Sequence, residues 1–170
     1  MKRFLAWMTA VCLFLGCIQS VDARKKEKYK YNEARNYEVV MLGVGSDGTK
    51  VFKIYATEKN VERAIALAKK AAIEVTLFRG LPAKGSIAAT PRLVDNQTRE
   101  ANAEYFDTFF ESGGRYLQYL NVTTDGVPSG QDRLKIKGGY KVGLSVQVLY
   151  DNLRSDLEAD GIIKSLNYGF

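Results

Sequence analysis

Asn60 to Phe78, N-V-E-R-A-I-A-L-A-K-K-A-A-I-E-V-T-L-F, is the stretch on which the fold turns. Val61, Ala64, Ile65, Ala68, Ala71, Ala72 and Val75 recur at the three-and-four spacing of a helix buried along one face. Most of that face is alanine, and small side chains let a helix approach a sheet closely. Thr57 or Asn60 can cap the helix, and Gly80 followed by Pro82 ends it. Two candidate sheets flank it, Tyr37 to Thr57 before and Arg115 to Tyr150 after.

On the upstream side, Tyr37 to Leu42 reads as a strand, and Lys50 to Ala56 alternates Val51, Lys53 and Tyr55 against Phe52, Ile54 and Ala56. Between them, Gly43, Gly45 and Gly48 match the spacing of a dinucleotide-binding fingerprint. That fingerprint works only if a helix N-terminus follows to receive the pyrophosphate. A second strand follows instead, and Asp47-Gly48 is a turn-forming pair, so the run predicts a hairpin and no nucleotide cofactor.

On the downstream side, Pro82 to Asn96 shows no sustained period and predicts a loop. Asn96 to Ser112 predicts a second helix with Ala101, Tyr105, Phe106, Phe109 and Phe110 on one side, stopped by Gly113-Gly114. Arg115 to Val122 predicts a strand. From Leu134 the apolar residues Leu134, Ile136, Tyr140, Val142, Leu144, Val146, Val148 and Tyr150 all fall on even positions, which predicts a half-buried antiparallel sheet with one dry face. Gly138-Gly139 interrupts it as a bulge or a turn. Asp151 caps a last helix with Leu153 and Leu157 inward, Arg154 and Glu158 paired, and Gly161 at its end; a packed tail, Ile162 to Phe170, remains. The sum is an α+β fold, an antiparallel sheet of four to five strands with two or three helices packed mainly on one face.

The chain divides into residues 1–23, an expected signal peptide; 24–36, a basic and flexible arm; and 37–170, one α+β domain. Lys2 and Arg3 precede an apolar run from Phe4 to about Ile18, and Val21-Asp22-Ala23 fits a cleavage site, so export to the periplasm or cell envelope is expected. Leu15-Gly16-Cys17 offers the alternative of a lipoprotein signal, with Cys17 as the lipidation site and the protein membrane-anchored. The net charge is +6, but residues 24–36 hold six basic against two acidic residues, and residues 37–170 hold 17 basic against 16 acidic. The folded part is nearly neutral, which is no footprint for nucleic acid. Peripheral membrane contact through the basic arm, or through a lipid on Cys17, is the expectation that charge leaves open.

There is no histidine, and Cys12 and Cys17 both lie inside the signal. Ser-His-Asp and Cys-His nucleophilic sites and the usual zinc and copper ligand sets are therefore excluded from the mature chain. No catalytic residue, cofactor or metal is expected.

The glycine-containing strand before E-R-A-I-A-L-A-K-K-A-A, the helix ending at Phe78-Arg79-Gly80, and the late strand Gly139 to Val148 resemble a small bacterial envelope domain. It is found in a family of surface lipoproteins and in the N-terminal part of a flagellar outer-ring protein. The resemblance covers roughly Tyr37 to Tyr150 and implies an assembly or binding role without catalytic residues.

Three classes of function follow. The first is a non-enzymatic envelope protein that binds another, unidentified envelope protein or builds an assembly, with Tyr105, Phe109, Phe110, Tyr116 and Tyr119 as the candidate interaction surface. The second is a small-molecule or glycan binder using Tyr116, Tyr119 and the Phe106 to Phe110 cluster. The third is a hydrolase working with carboxylates alone, drawn from Asp95, Glu100, Glu104, Asp107 and Glu111. Against these stands the plainer reading of the aromatics as core, because large rings dominate interiors.

Overall fold

Asn60 opens the central helix by accepting a hydrogen bond from the Arg63 amide at 2.9 Å, and α1 runs Val61–Phe78. The structure, a computed structural model, describes residues 28–33, 35–46 and 48–165. The expected signal at 1–23 with Cys17, the arm residues 24–27, Asp47 and the tail residues 166–170 lie outside the described residues.

Strand β1 (Glu38–Val44) pairs antiparallel with β2 (Lys50–Glu58), the hairpin that the glycine run predicts. Two further strands, β3 (Leu120–Val122) and β4 (Arg133–Ile136), pair antiparallel with opposite ends of β5 (Gly139–Val148), which also pairs with β2. The sheet thus has β1 on one edge and β3 with β4 on the other. Register aligns Met41, Phe52 and Val146, then Ile54 with Leu144 and Ala56 with Val142, and all of these are buried. α1 packs across β2 and β5, with Ala64, Ala68, Ala71 and Ala72 fully buried. The α+β architecture is as the sequence predicts.

The helix is covered on more than one face. Residues Ala71 to Phe78 are buried without interruption, because a second layer of aromatic rings closes over the side away from the sheet. At the end of α1 the Gly80 amide bonds the Val75 carbonyl at 2.7 Å, with φ at +86°. The Pro82 to Asn96 segment is partly ordered by bridges between Leu81 and Thr90 and between Lys84 and Ile87, with Leu81, Thr90 and Val94 buried.

Four expectations need correction. The second helix is two short ones, α2 (Asn96–Ala101) and α3 (Ala103–Phe109), broken at Asn102, whose side-chain amide donates to the Thr98 carbonyl at 2.8 Å. Ala101 turns outward in consequence. Arg115 to Val122 is a strand only in its last three residues; Arg115–Tyr119 is a 3-10 turn. Three-residue spacing puts Tyr116 and Tyr119 on one side of such a turn, whereas a strand would put them on opposite faces. Gly138, at φ +92°, sits with Lys137 in a two-residue hairpin turn and not a bulge. That turn pairs Leu134 with Lys141 and Ile136 with Gly139, so the even residues of β4 lie on the face opposite Val142 and Leu144 and stay exposed. Finally, helix α4 (Tyr150–Ala159) starts before Asp151, which sits inside its first turn and caps nothing. Leu153 and Leu157 are buried, Arg154 meets Glu158 at 2.9 Å, and Ile162 is buried behind Gly161, all as the pattern predicts.

Candidate functional site

The aromatic residues singled out as an interaction surface do not form one. Phe109, Phe110, Tyr116 and Tyr119 are buried, and Tyr105 is half-buried. Their rings pack on each other, with Phe109 and Tyr119 stacked at 5.9 Å, Phe110 and Tyr116 tilted at 5.5 Å, and Phe109 edge-on to Phe110 at 5.0 Å. Each such pair adds about 0.5–1.5 kcal/mol beyond its area. Only their hydroxyl ends are polar. Tyr105 donates to Asp160 at 2.7 Å and Tyr119 to Asp156 at 2.6 Å, while Arg115 bridges Asp160 at 2.9 Å. The hydrogen bond from Tyr105 and the nearby Arg115 hold Asp160 below the usual carboxylate range. This cluster ties α3 and the 3-10 turn to α4.

Of the candidate carboxylates, one has a structural task. Asp95 caps α2, accepting from the Thr98 amide at 2.7 Å, and that bond pushes its pKa down. Glu100 and Glu104 are exposed on α2 and α3. None of the five lines either of the two cavities described next.

The first cavity, of about 550 Å³, lies between the arm and α1, lined by Lys30, Tyr31, Asn32, Arg35, Tyr37 and Glu74 among others. The arm, expected to be flexible, packs against the domain in its described part. Tyr29 stacks on Phe110 at 4.5 Å, Tyr31 packs on Phe78 at 4.9 Å, and Glu33 pairs with Arg99 at 3.0 Å. Beneath it Glu74 is 6% exposed and accepts a hydrogen bond from the Tyr29 hydroxyl at 3.0 Å. Burial raises its pKa, opposed by the Tyr29 bond, by Lys70 and Arg35, and by a bond from Tyr37. Burial, then the Glu74 charge, raises the phenols of Tyr29 and Tyr37. The signal for Glu74 was present in the sequence, as the one charged residue in the run A-A-I-E-V-T-L-F.

The second cavity, of about 640 Å³, runs along the open edge of β1, lined by Tyr37, Val39, Arg79, Leu81, Pro82, Thr90 and Pro91 among others. Arg79 donates to the Tyr37 carbonyl and Lys84 to the Met41 carbonyl, each at 2.8 Å. Those carbonyls point away from β2. Val39 lies at the same phase of the strand, so its N–H and C=O point to the open edge, where no partner meets them among the described residues. Leu42 and Val44, further along, are 49% and 52% exposed. Which strand would be an edge has no signal in the local pattern.

Comparison with known protein families, curated proteins and solved structures found no match. Among the described residues no helix is long and apolar enough to cross a membrane.

Proposed function

We propose that this chain is an exported, non-enzymatic cell-envelope protein that binds another protein, with the edge of β1 as its contact. The observation that carries the reading is the unpartnered backbone of Val39 beside a groove walled by Leu81, Pro82 and Thr90. An exposed strand edge is a template for an incoming extended segment, and exposed Leu42 and Val44 offer that segment apolar contact. Arg79 and Lys84 occupy the flanking carbonyls and keep the edge from indiscriminate pairing. The sequence resemblance to an envelope assembly domain points the same way, as does the leader-like start of the chain.

Val39→Pro tests it. Proline removes the outward N–H while leaving the β1–β2 ladder intact, because residue 39 is in phase with Tyr37 and Met41, whose carbonyls are met from the open side by Arg79 and Lys84. Capture of the envelope partner by photo-crosslinking from Leu42 should be lost in the variant, with its melting temperature close to that of the parent. Undiminished capture in a folded Val39→Pro variant would sink the edge-binding reading.

A second reading, a small-molecule binder, has one observation in its favour: the cavity of about 550 Å³ over buried Glu74. A screen of amines and sugars against the purified chain, repeated with Glu74→Gln, separates it from strand addition, since only a ligand held in that cavity would lose affinity there.

A further inference from the structure

The β4–β5 hairpin lies on the opposite edge of the sheet from β1, and no role described above uses it. From Arg133 to Tyr150 the sequence holds four cations, Arg133, Lys135, Lys137 and Lys141, and no carboxylate. Lys141 is neutralised by Glu38, and the preceding Asp132 is taken by Lys53 at 2.8 Å. Arg133, Lys135 and Lys137 have no ion-pair partner among the described residues. All four residues of β4 are exposed. The two-residue turn places Leu134 and Ile136 together on the outer face, 48% and 40% exposed, with the cations on the other side and at the tip. Val127, in the connection leading to β4, is 59% exposed.

We propose that this hairpin docks the protein onto an anionic lipid bilayer. Lysines alone would suffice to blunt an edge strand, so the pair of exposed aliphatic side chains at the same place calls for an apolar occupant. A nucleic acid would engage the cations but give Leu134 and Ile136 nothing to bury against. A bilayer met by the free edge of β4, where side chains of either face reach it, satisfies both, with phosphates meeting Arg133, Lys135 and Lys137 and the interfacial acyl region receiving the aliphatic pair. Because β1 and β4 are on opposite edges, a partner strand can be held on one while the other rests on lipid; the lipid contact does not depend on the strand-binding reading.

The test is co-sedimentation of the full chain with vesicles containing phosphatidylglycerol, against vesicles of phosphatidylcholine alone. The parent should bind the anionic vesicles at low salt and be weakened as salt rises. Lys135→Gln and Lys137→Gln should each lower the affinity roughly fivefold. Leu134→Ser with Ile136→Ser should lower it roughly tenfold, and Lys25→Gln with Lys26→Gln in the arm should leave most of it. These side chains are exposed, and an unchanged melting temperature checks that each variant folds; were the aliphatic pair to unfold the protein, the two lysine variants decide alone. No preference for anionic vesicles, or binding indifferent to the hairpin variants, overturns the proposal. So does duplex DNA bound as tightly as vesicles, with the aliphatic substitutions having no effect on either.

Discussion

Replacing Ala72 or Ala68 with leucine tests the central claim that α1 sets the spacing of the domain. Both alanines are fully buried on the helix that crosses β2 and β5, beneath Phe52, Ile54, Leu144 and Val146, which are themselves at most 1% exposed. A leucine adds three carbons where interiors are already close-packed, so the helix must lift from the sheet or the neighbours must leave their rotamers. Overpacking of this kind costs about 1–3 kcal/mol. For a domain of this size each kcal/mol lowers the melting temperature by roughly 3–5 °C. Leucine has slightly lower helix propensity than alanine, a difference far too small to produce such a shift.

Ala66, on the same helix but exposed, supplies the control. Ala66→Leu should leave stability within about 0.5 kcal/mol, as exposed substitutions usually do. Thermal unfolding followed by far-UV circular dichroism, with a urea series to check the slope, reads all three variants. Equal melting temperatures for Ala72→Leu and Ala66→Leu would mean that the alanine face is not held tightly against the sheet, and the account of the fold would fall with it.

Glu74 has its pKa raised in the folded chain, so its contribution favours the folded state below the ordinary carboxylate range and is lost as pH rises through the folded value. The difference in stability between the parent and Glu74→Gln should therefore shift toward the variant as pH rises, and a pH-independent difference would show that the carboxyl is not buried. Gly80→Ala should cost about 2 kcal/mol or more, since Gly80 has φ at +86° and a Cβ there would meet the Thr90 carbonyl at 2.5 Å; denaturation at the parent's urea midpoint would show that the loop is not held against the end of α1. High salt should release the protein from envelope membranes with an N-terminus at Arg24 by mass, because an electrostatic contact is screened and an acyl chain is not. Retention in the pellet, abolished by Cys17→Ser, would make it a lipoprotein.

Local periodicity was legible wherever one physical constraint acted over many residues. The alanine stripe of α1, the alternation in β2 and the even-numbered apolar run of β5 all map onto the inner face. What failed was phase across a turn. Leu134 and Ile136 continue the even pattern by number, yet a two-residue turn pairs even positions of β4 with odd positions of β5 and so inverts the face. Sequence spacing cannot reveal that until the turn length is known, and Gly138-Gly139 fits either a turn or a bulge. The Arg115 to Tyr119 stretch misled for a related reason, since tyrosines read as strand formers while their three-residue spacing suits a 3-10 turn. Nothing local told which strand would be left at the edge, and that is what decides the candidate site.

The arm shows how a charge count can hide a packing signal. In Lys28-Tyr29-Lys30-Tyr31 the cations dominate the tally, but the tyrosines alternate with them, and in an extended segment alternate side chains share a face. That face meets Phe110 and Phe78, and the Tyr29 hydroxyl reaches Glu74. Glu74 is therefore buried in part by the arm, not by the helix alone. The arm helps to bury the carboxyl, which raises its pKa, and also brings the Tyr29 hydrogen bond and the Arg35 charge, which lower it, so docking of the arm and protonation of Glu74 are linked. The same contact thus sets both how firmly the basic segment is held to the domain and how stable the second layer over α1 is.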